Sequence, residues 1–194
     1  MRLYLASRSP RRRELLHQIG IDFDTLTGAL EVDETPLPGE APTAYVERVT
    51  RAKAAQGLAL IQERHLIAHP VLSADTTLEV DGEIIGKPAD GVDAARILKR
   101  LSGRSHRVIT GVAVADRQRC NYVTSVSEVR FRVLEADEIR RYVLSGEPMD
   151  KAGAYGIQGR AGLFVAHIAG SYSGIMGLPL CETGELLKTF GFRF

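Results

Sequence analysis

Apolar positions along this chain alternate between strand-like runs and helical spacing. Leu3-Tyr4-Leu5-Ala6 has the character of a short buried strand, and from Pro10 the pattern becomes helical, with Leu15, Leu16 and Ile19 on one face. Ser9 stands at the N-cap position, Pro10 at the first helical position, and Gly20 supplies the stop. Residues 36–42 are linker-like and deliver the chain to a helix expected over residues 43–61. On that helix Val46, Val49 and Ala52 face inward beside Tyr45. Lys53 borders the stripe, four residues beyond Val49, so its ammonium needs an anion or an exit to solvent.

Residues 70–80 read as a strand, turned by Asp81-Gly82 into a second strand over residues 83–86. A helix is expected over residues 93–101, strands over 107–115 and 121–133, and a helix over 135–144 that stops at Gly146. Ser127, Val129, Phe131 and Val133 carry the alternation of the second of these strands. A strand over 163–168 and a closing helix over 181–190, entered through Leu178-Pro179, complete the pattern. With no fixed-period repeat or low-complexity tract, this is an α/β chain with a mixed sheet.

Its 194 residues suffice for one well-buried core, or for one domain split into two lobes, with no independent second domain. The 25 basic and 24 acidic side chains leave a net charge of +1, which disfavours a general binder of nucleic-acid polymers. Cys120 and Cys181 form no Cys-x-x-Cys pair and are expected to be reduced thiols in a cytoplasmic protein. No segment approaches the length of apolar sequence that crosses a membrane, and none reads as a signal peptide.

Against that neutral background Arg8, Arg11, Arg12 and Arg13 crowd around a helix N-terminus. Taken alone, the run suits either a solvated basic face or a site for phosphate, since a helix start already presents unpaired N–H groups. It is neither a P-loop nor a dinucleotide fingerprint. Asp75 lies where an apolar strand gives way to small polar residues at an expected bend. It is either a turn aspartate or a carboxylate with a cation or proton-transfer task. Glu31, Asp33 and Glu34 form a solvated acidic loop or, facing Asp75, part of a Mg²⁺ site with substrate phosphates. Lys87 follows the hairpin strand as a surface lysine. Residues 148–159 combine Lys151, four small residues and Gln158, whose amide suits a planar base edge if the segment is more than a structural loop. His65 and His69 lack the context of a zinc helix, and no nucleophile elbow is present.

Leu5-Ala6-Ser7-Arg8-Ser9-Pro10-Arg11-Arg12, Val32-Asp33-Glu34, Ala74-Asp75-Thr76, Gly86-Lys87-Pro88, Leu101-Ser102-Gly103, Gly177-Leu178-Pro179 and the whole of residues 150–159 together resemble the Maf family of nucleoside triphosphate pyrophosphatases, in order and from about Leu3 to Phe190. The resemblance implies one domain over residues 1–194, with a twisted mixed sheet flanked by helices in two lobes about a central cleft, similar to inosine triphosphate pyrophosphatases. It implies cleavage of dTTP and UTP between the α- and β-phosphates, with Asp75 as general base and Ser7, Arg12, Lys53 and Lys87 on the triphosphate. It further implies Glu34 and Asp75 on a divalent metal, Mg²⁺ ahead of Mn²⁺ or Co²⁺, and a homodimer. A one-residue slip would exchange Asp33 for Glu34. Arg11, Thr76 and Gln158 match positions where relatives acting on 7-methyl-GTP carry an aromatic residue, Gln and Glu. The rival readings are one of those relatives, and a nucleotide-binding regulator of cell division without turnover.

Overall fold

The computed structural model describes residues 1–26 and 32–194, so Glu31 lies outside the described residues. β1 (Arg2–Leu5) leads into α1 (Pro10–Gln18), and β2 (Asp22–Thr25) returns parallel to β1. Leu15 and Leu16 of α1 are buried, and Gly20, at a φ of +69°, turns the chain out of the helix. Ser9 occupies the N-cap position, and among the described residues its side chain makes no capping hydrogen bond. Its backbone N–H donates instead to Ser7 Oγ at 3.2 Å.

α2 (Pro42–Glu63) buries Tyr45, Val46, Val49, Thr50 and Ala54 against β3 (Val71–Val80) and the later strand β5 (Ser105–Ala115). β3 turns through Asp81-Gly82, whose φ values of +56° and +81° match the type I′ turn that Asp-Gly favours, into β4 (Glu83–Ile85). α3 (Gly91–Leu101) is capped by Asp90, which accepts from the Asp93 N–H, and α4 (Ala136–Leu144) by a Glu135–Glu138 capping box. β6 (Cys120–Phe131) pairs with β5. Three short 3-10 turns then precede β7 (Val165–Ala169), α5 (Tyr172–Met176) and α6 (Leu180–Lys188). Among the described residues the strands form one mixed sheet in the order β2-β1-β3-β5-β6-β7, with β4 beside β3.

The expected strand over 163–168 starts later, because residues 160–164 wind as a 3-10 turn, and Val133 lies beyond β6 and is exposed. The bend expected at Asp75 is absent. Asp75 sits mid-strand in an unbroken β3, opposite Gly111 of β5. The polar residues there mark instead the boundary between two cores. Leu72 and Ala74 join Leu3, Leu5, Leu16, Val112, Val114 and Leu187 on one side, while Leu78 and Val80 join Leu98, Leu101, Phe131 and Phe164 on the other. Between them Thr76, Thr110 and Ser125 stand in register across β3, β5 and β6 as a belt of hydroxyls on one sheet face.

Pairing along the outer edge of β3 is discontinuous. β1 pairs with it as far as Leu72 and β4 only from Leu78, so among the described residues no strand covers residues 73–77 on that edge. The gap lies at the carboxyl end of β1, just before the N-terminus of α1, where ligands of open α/β sheets bind.

On β5, His106 is 3% exposed, and its Nε2 lies 2.8 Å from the Tyr155 hydroxyl. Nδ1 is buried with no hydrogen-bond partner among the described residues, and burial pulls the imidazole down to about 4. Between pH 4 and the ordinary value near 6.5 the unfolded chain binds this proton and the folded chain does not, so stability falls as the pH drops through that window. His106→Gln, which keeps a partner for Tyr155 without titrating, is expected to lessen the loss by up to about 3 kcal/mol. Urea unfolding of both proteins at pH 7 and pH 4.5 checks it. Equal pH slopes would remove His106 as the cause.

Candidate active site

The gap opens into a cavity of about 820 Å³, a size suited to a small ligand. Ser7, Arg11, Arg12, Glu34, Lys53, Asp75, Thr76, Lys87 and Gln158, spread over the sequence, all line it. Arg8 lines it as well. Arg13 does not: it falls on the exposed side of α1, so the fourfold arginine cluster of the sequence divides between cavity and solvent.

Lys53 reaches the cavity from α2 and joins two acids. Its Nζ donates to Asp75 Oδ1 at 2.7 Å and lies 2.6 Å from Glu34 Oε1. Asp75 is 7% exposed, so the lysine offsets the desolvation of a carboxylate held in the middle of a strand. Partial burial works against the charge on Glu34. The hydrogen bond and charge of Lys53, with Lys87 and Arg12 behind it, nevertheless hold its carboxyl below the usual range. Asp33 points elsewhere and accepts from the Thr35 N–H at 2.9 Å. The loop carrying Glu34 is fastened to α2 by Tyr45, whose hydroxyl donates to Glu34 O, and by Arg48, which donates to Asp33 O, Thr35 O and the Glu40 carboxylate.

Arg12 makes a three-way brace. Nε donates to Gly177 O at 2.8 Å, Nη1 to Ser7 Oγ at 3.1 Å and Nη2 to Thr76 Oγ1 at 3.1 Å. Burial lowers its pKa against the attraction of Asp75, and a guanidinium keeps its charge nonetheless. Ser7 Oγ accepts from both Arg12 and the Ser9 N–H, so both lone pairs are occupied and its proton is left as a donor. Its placement beside the start of α1 directs a donor to the same region as the helix N–H groups.

The opposite wall is the segment before β7. Asp150 pairs with Arg11 at 3.6 Å across the cavity and with Lys151 at 2.5 Å. Gln158 is exposed to the cavity on a turn held from behind by Glu147, which accepts from the Tyr142 hydroxyl at 2.9 Å and the Arg160 N–H at 3.1 Å. A Cβ at Gly159 would lie 2.2 Å from Glu147 Oε1, so a side chain there would displace that carboxylate from its donors.

Glu34 and Asp75 converge on the Lys53 ammonium, and a hard divalent ion takes such carboxylates together with phosphate oxygens. Among the described residues no group of three or more His, Cys, Asp or Glu could enclose an ion, so the pair fits only a metal whose remaining ligands come from phosphate and water. His65 and His69 join no such group.

The fold and the cavity define an α/β protein with a nucleotide-sized, cation-rich cleft built around one strand-borne carboxylate. Residues 2–190 match the model of the Maf-like protein family, and the chain belongs to that family. It is 69% identical to a dTTP/UTP pyrophosphatase of Dechloromonas aromatica, covering 100% of this chain and 99% of that one. It is 61% identical to one of Aromatoleum aromaticum over 98% and 96% of the two chains, and 53% identical to one of Chromobacterium violaceum over 99% and 96%. The solved Staphylococcus aureus Ham1 protein is 13% identical, with a TM-score of 0.48 over 68% of this chain and 72% of that one. No helix among the described residues is long and apolar enough to cross a membrane.

Proposed function

We propose that this protein hydrolyses dTTP and UTP between the α- and β-phosphates, releasing the nucleoside monophosphate and pyrophosphate. The observation that carries the reading is the Asp75–Lys53–Glu34 cluster beside the Ser7 and Arg12 donors, in a chain 69% identical to a protein named for that activity. Asp75 accepts a proton from the attacking water as the new bond to the α-phosphorus forms and the bond to the bridging oxygen breaks. Arg12, Lys53, Lys87 and the Ser7 hydroxyl stabilise the negative charge that passes to the departing pyrophosphate. Glu34 and Asp75 would hold a divalent cation, Mg²⁺ ahead of Mn²⁺ or Co²⁺, which supplies neutralisation of phosphate charge when bound. Arg11, Thr76 and Gln158 discriminate among bases.

The reading extends to residues 1–194 as one domain of two lobes, supported by the two cores on either side of the hydroxyl belt. It includes a cytoplasmic homodimer, on the family resemblance and two exposed free thiols that fit a reducing compartment. Sedimentation equilibrium distinguishes the dimer from a monomer.

Separation of products by anion exchange after incubation with dTTP, UTP, CTP, GTP or 7-methyl-GTP and Mg²⁺ tests the reaction. Monophosphate with pyrophosphate from dTTP and UTP is the expected result. Diphosphate with phosphate would refute α–β cleavage, a preference for 7-methyl-GTP would move the protein to that branch, and binding without products would make it a regulator. Gln158→Glu exchanges an amide that donates and accepts for an acceptor. It is expected to lower kcat/KM for dTTP and UTP by about tenfold or more relative to 7-methyl-GTP, the scale of one misplaced hydrogen-bonding group. An unchanged ranking would take Gln158 out of base recognition.

A further inference from the structure

Thr76 belongs to a hydrogen-bond chain whose direction is fixed at its far end. A carbonyl oxygen has no proton to give, so in the 2.8 Å contact with Gly174 O the Thr110 hydroxyl is the donor. That commits its only proton. Thr110 Oγ1 therefore meets Thr76 Oγ1, 2.9 Å away, as an acceptor, and Thr76 donates. Arg12 Nη2 takes up one lone pair of Thr76 from the other side. Toward the cavity Thr76 keeps a single lone pair and no proton. Thr110 itself is 1% exposed and lies behind the cavity wall.

We propose that Thr110 is a positioning residue that fixes Thr76 as an acceptor-only reader of the base, selecting a pyrimidine with an N–H at position 3, uracil or thymine, over cytosine. The inference rests on the pyrophosphatase reading above. Cytosine presents a bare acceptor at that ring nitrogen, so lone pair would face lone pair and both would lose their partners, the circumstance in which polar sites discriminate well. Gln158 cannot impose this choice, because its amide can present either its oxygen or its NH₂ group by rotation. A hydroxyl whose proton is held by Thr110 cannot turn.

Measuring kcat/KM for UTP and CTP on wild type, Thr110→Val and Thr110→Ser tests the proposal. Both substrates are assayed on one preparation, so the ratio is independent of the fraction folded. The wild type is expected to prefer UTP. Thr110→Val frees the Thr76 proton to face the cavity and should narrow that preference by about 3- to 10-fold, the scale of one neutral hydrogen bond. Thr110→Ser, which retains the hydroxyl, should restore the wild-type ratio. An unchanged ratio in Thr110→Val, a valine-like ratio in Thr110→Ser, or equal use of UTP and CTP by the wild type overturns the role of Thr110. Failure of the wild type to turn over either nucleotide overturns the pyrophosphatase reading, and this inference with it.

Discussion

Asp75→Asn is expected to lower kcat for dTTP and UTP by about 10²–10⁴-fold, the usual contribution of a positioned general base. The substitution changes the chemistry with little change in packing. An asparagine oxygen can still accept from Lys53, and Lys53 keeps its 2.6 Å contact with Glu34, so no buried cation is left without a partner. Neighbouring Ala74 and Thr76 remain paired to β5 through the backbone. Thermal unfolding should therefore stay close to wild type while turnover collapses. A folded Asp75→Asn protein with kcat within about tenfold of wild type would remove Asp75 from the proton-transfer step.

The second large effect falls on Arg12. Arg12→Met removes three charge-assisted, partly buried hydrogen bonds at once, to Gly177 O, Ser7 Oγ and Thr76 Oγ1. A loss of about 3 kcal/mol or more of stability is expected, since each acceptor is left to find a new partner. At saturating protein stability, for example well below the melting temperature, kcat/KM should still fall by about 100-fold or more, as when a charge-stabilising donor is removed from a transition state. Arg12→Lys retains the charge but cannot span three acceptors, so it should recover part of the activity and little of the stability. Urea unfolding with parallel kinetics separates the two effects. A methionine variant as stable and as active as wild type would show that the brace matters to neither.

Much of this arrangement is legible from residue types because periodic elements carry it. α2 announces itself by Val46 and Val49, and its stripe places Lys53 where Asp75 meets it. The Asp-Gly turn fixes the β3–β4 hairpin, and with it the position of Lys87 beside the cavity. β2 escapes such reading because two of its four residues are aspartates, on a strand that among the described residues pairs with β1 alone. α5 escapes because five residues are too few to show a periodicity. The bend expected at Asp75 fails for a different reason. A cluster of polar residues within a strand usually marks a turn, but here the two sheet faces satisfy it separately, Asp75 through Lys53 and Thr76 through Thr110. Arg48 and Thr110 also leave no recognisable signal. One looks like a surface arginine and the other like an ordinary β-branched strand residue, and the carbonyls of Gly174 and Gly177 that organise the site have no side chain to read.

The bond from Arg12 to Gly177 joins positions 165 residues apart. Beneath it Leu15 and Leu16 share one core with Leu186, Leu187 and Phe190, so the two ends of the sequence solidify together. Loop closure over so long a stretch comes late, after the local helices and the β3–β4 and β5–β6 hairpins can already exist. A growing chain can thus carry Asp75, Lys53 and Arg12 for most of its synthesis without a finished cleft, because the carbonyl that orients the arginine has yet to emerge. Competence to hold a nucleotide then arrives as one of the final folding events, and a chain interrupted before residue 177 retains the chemical groups but not their alignment.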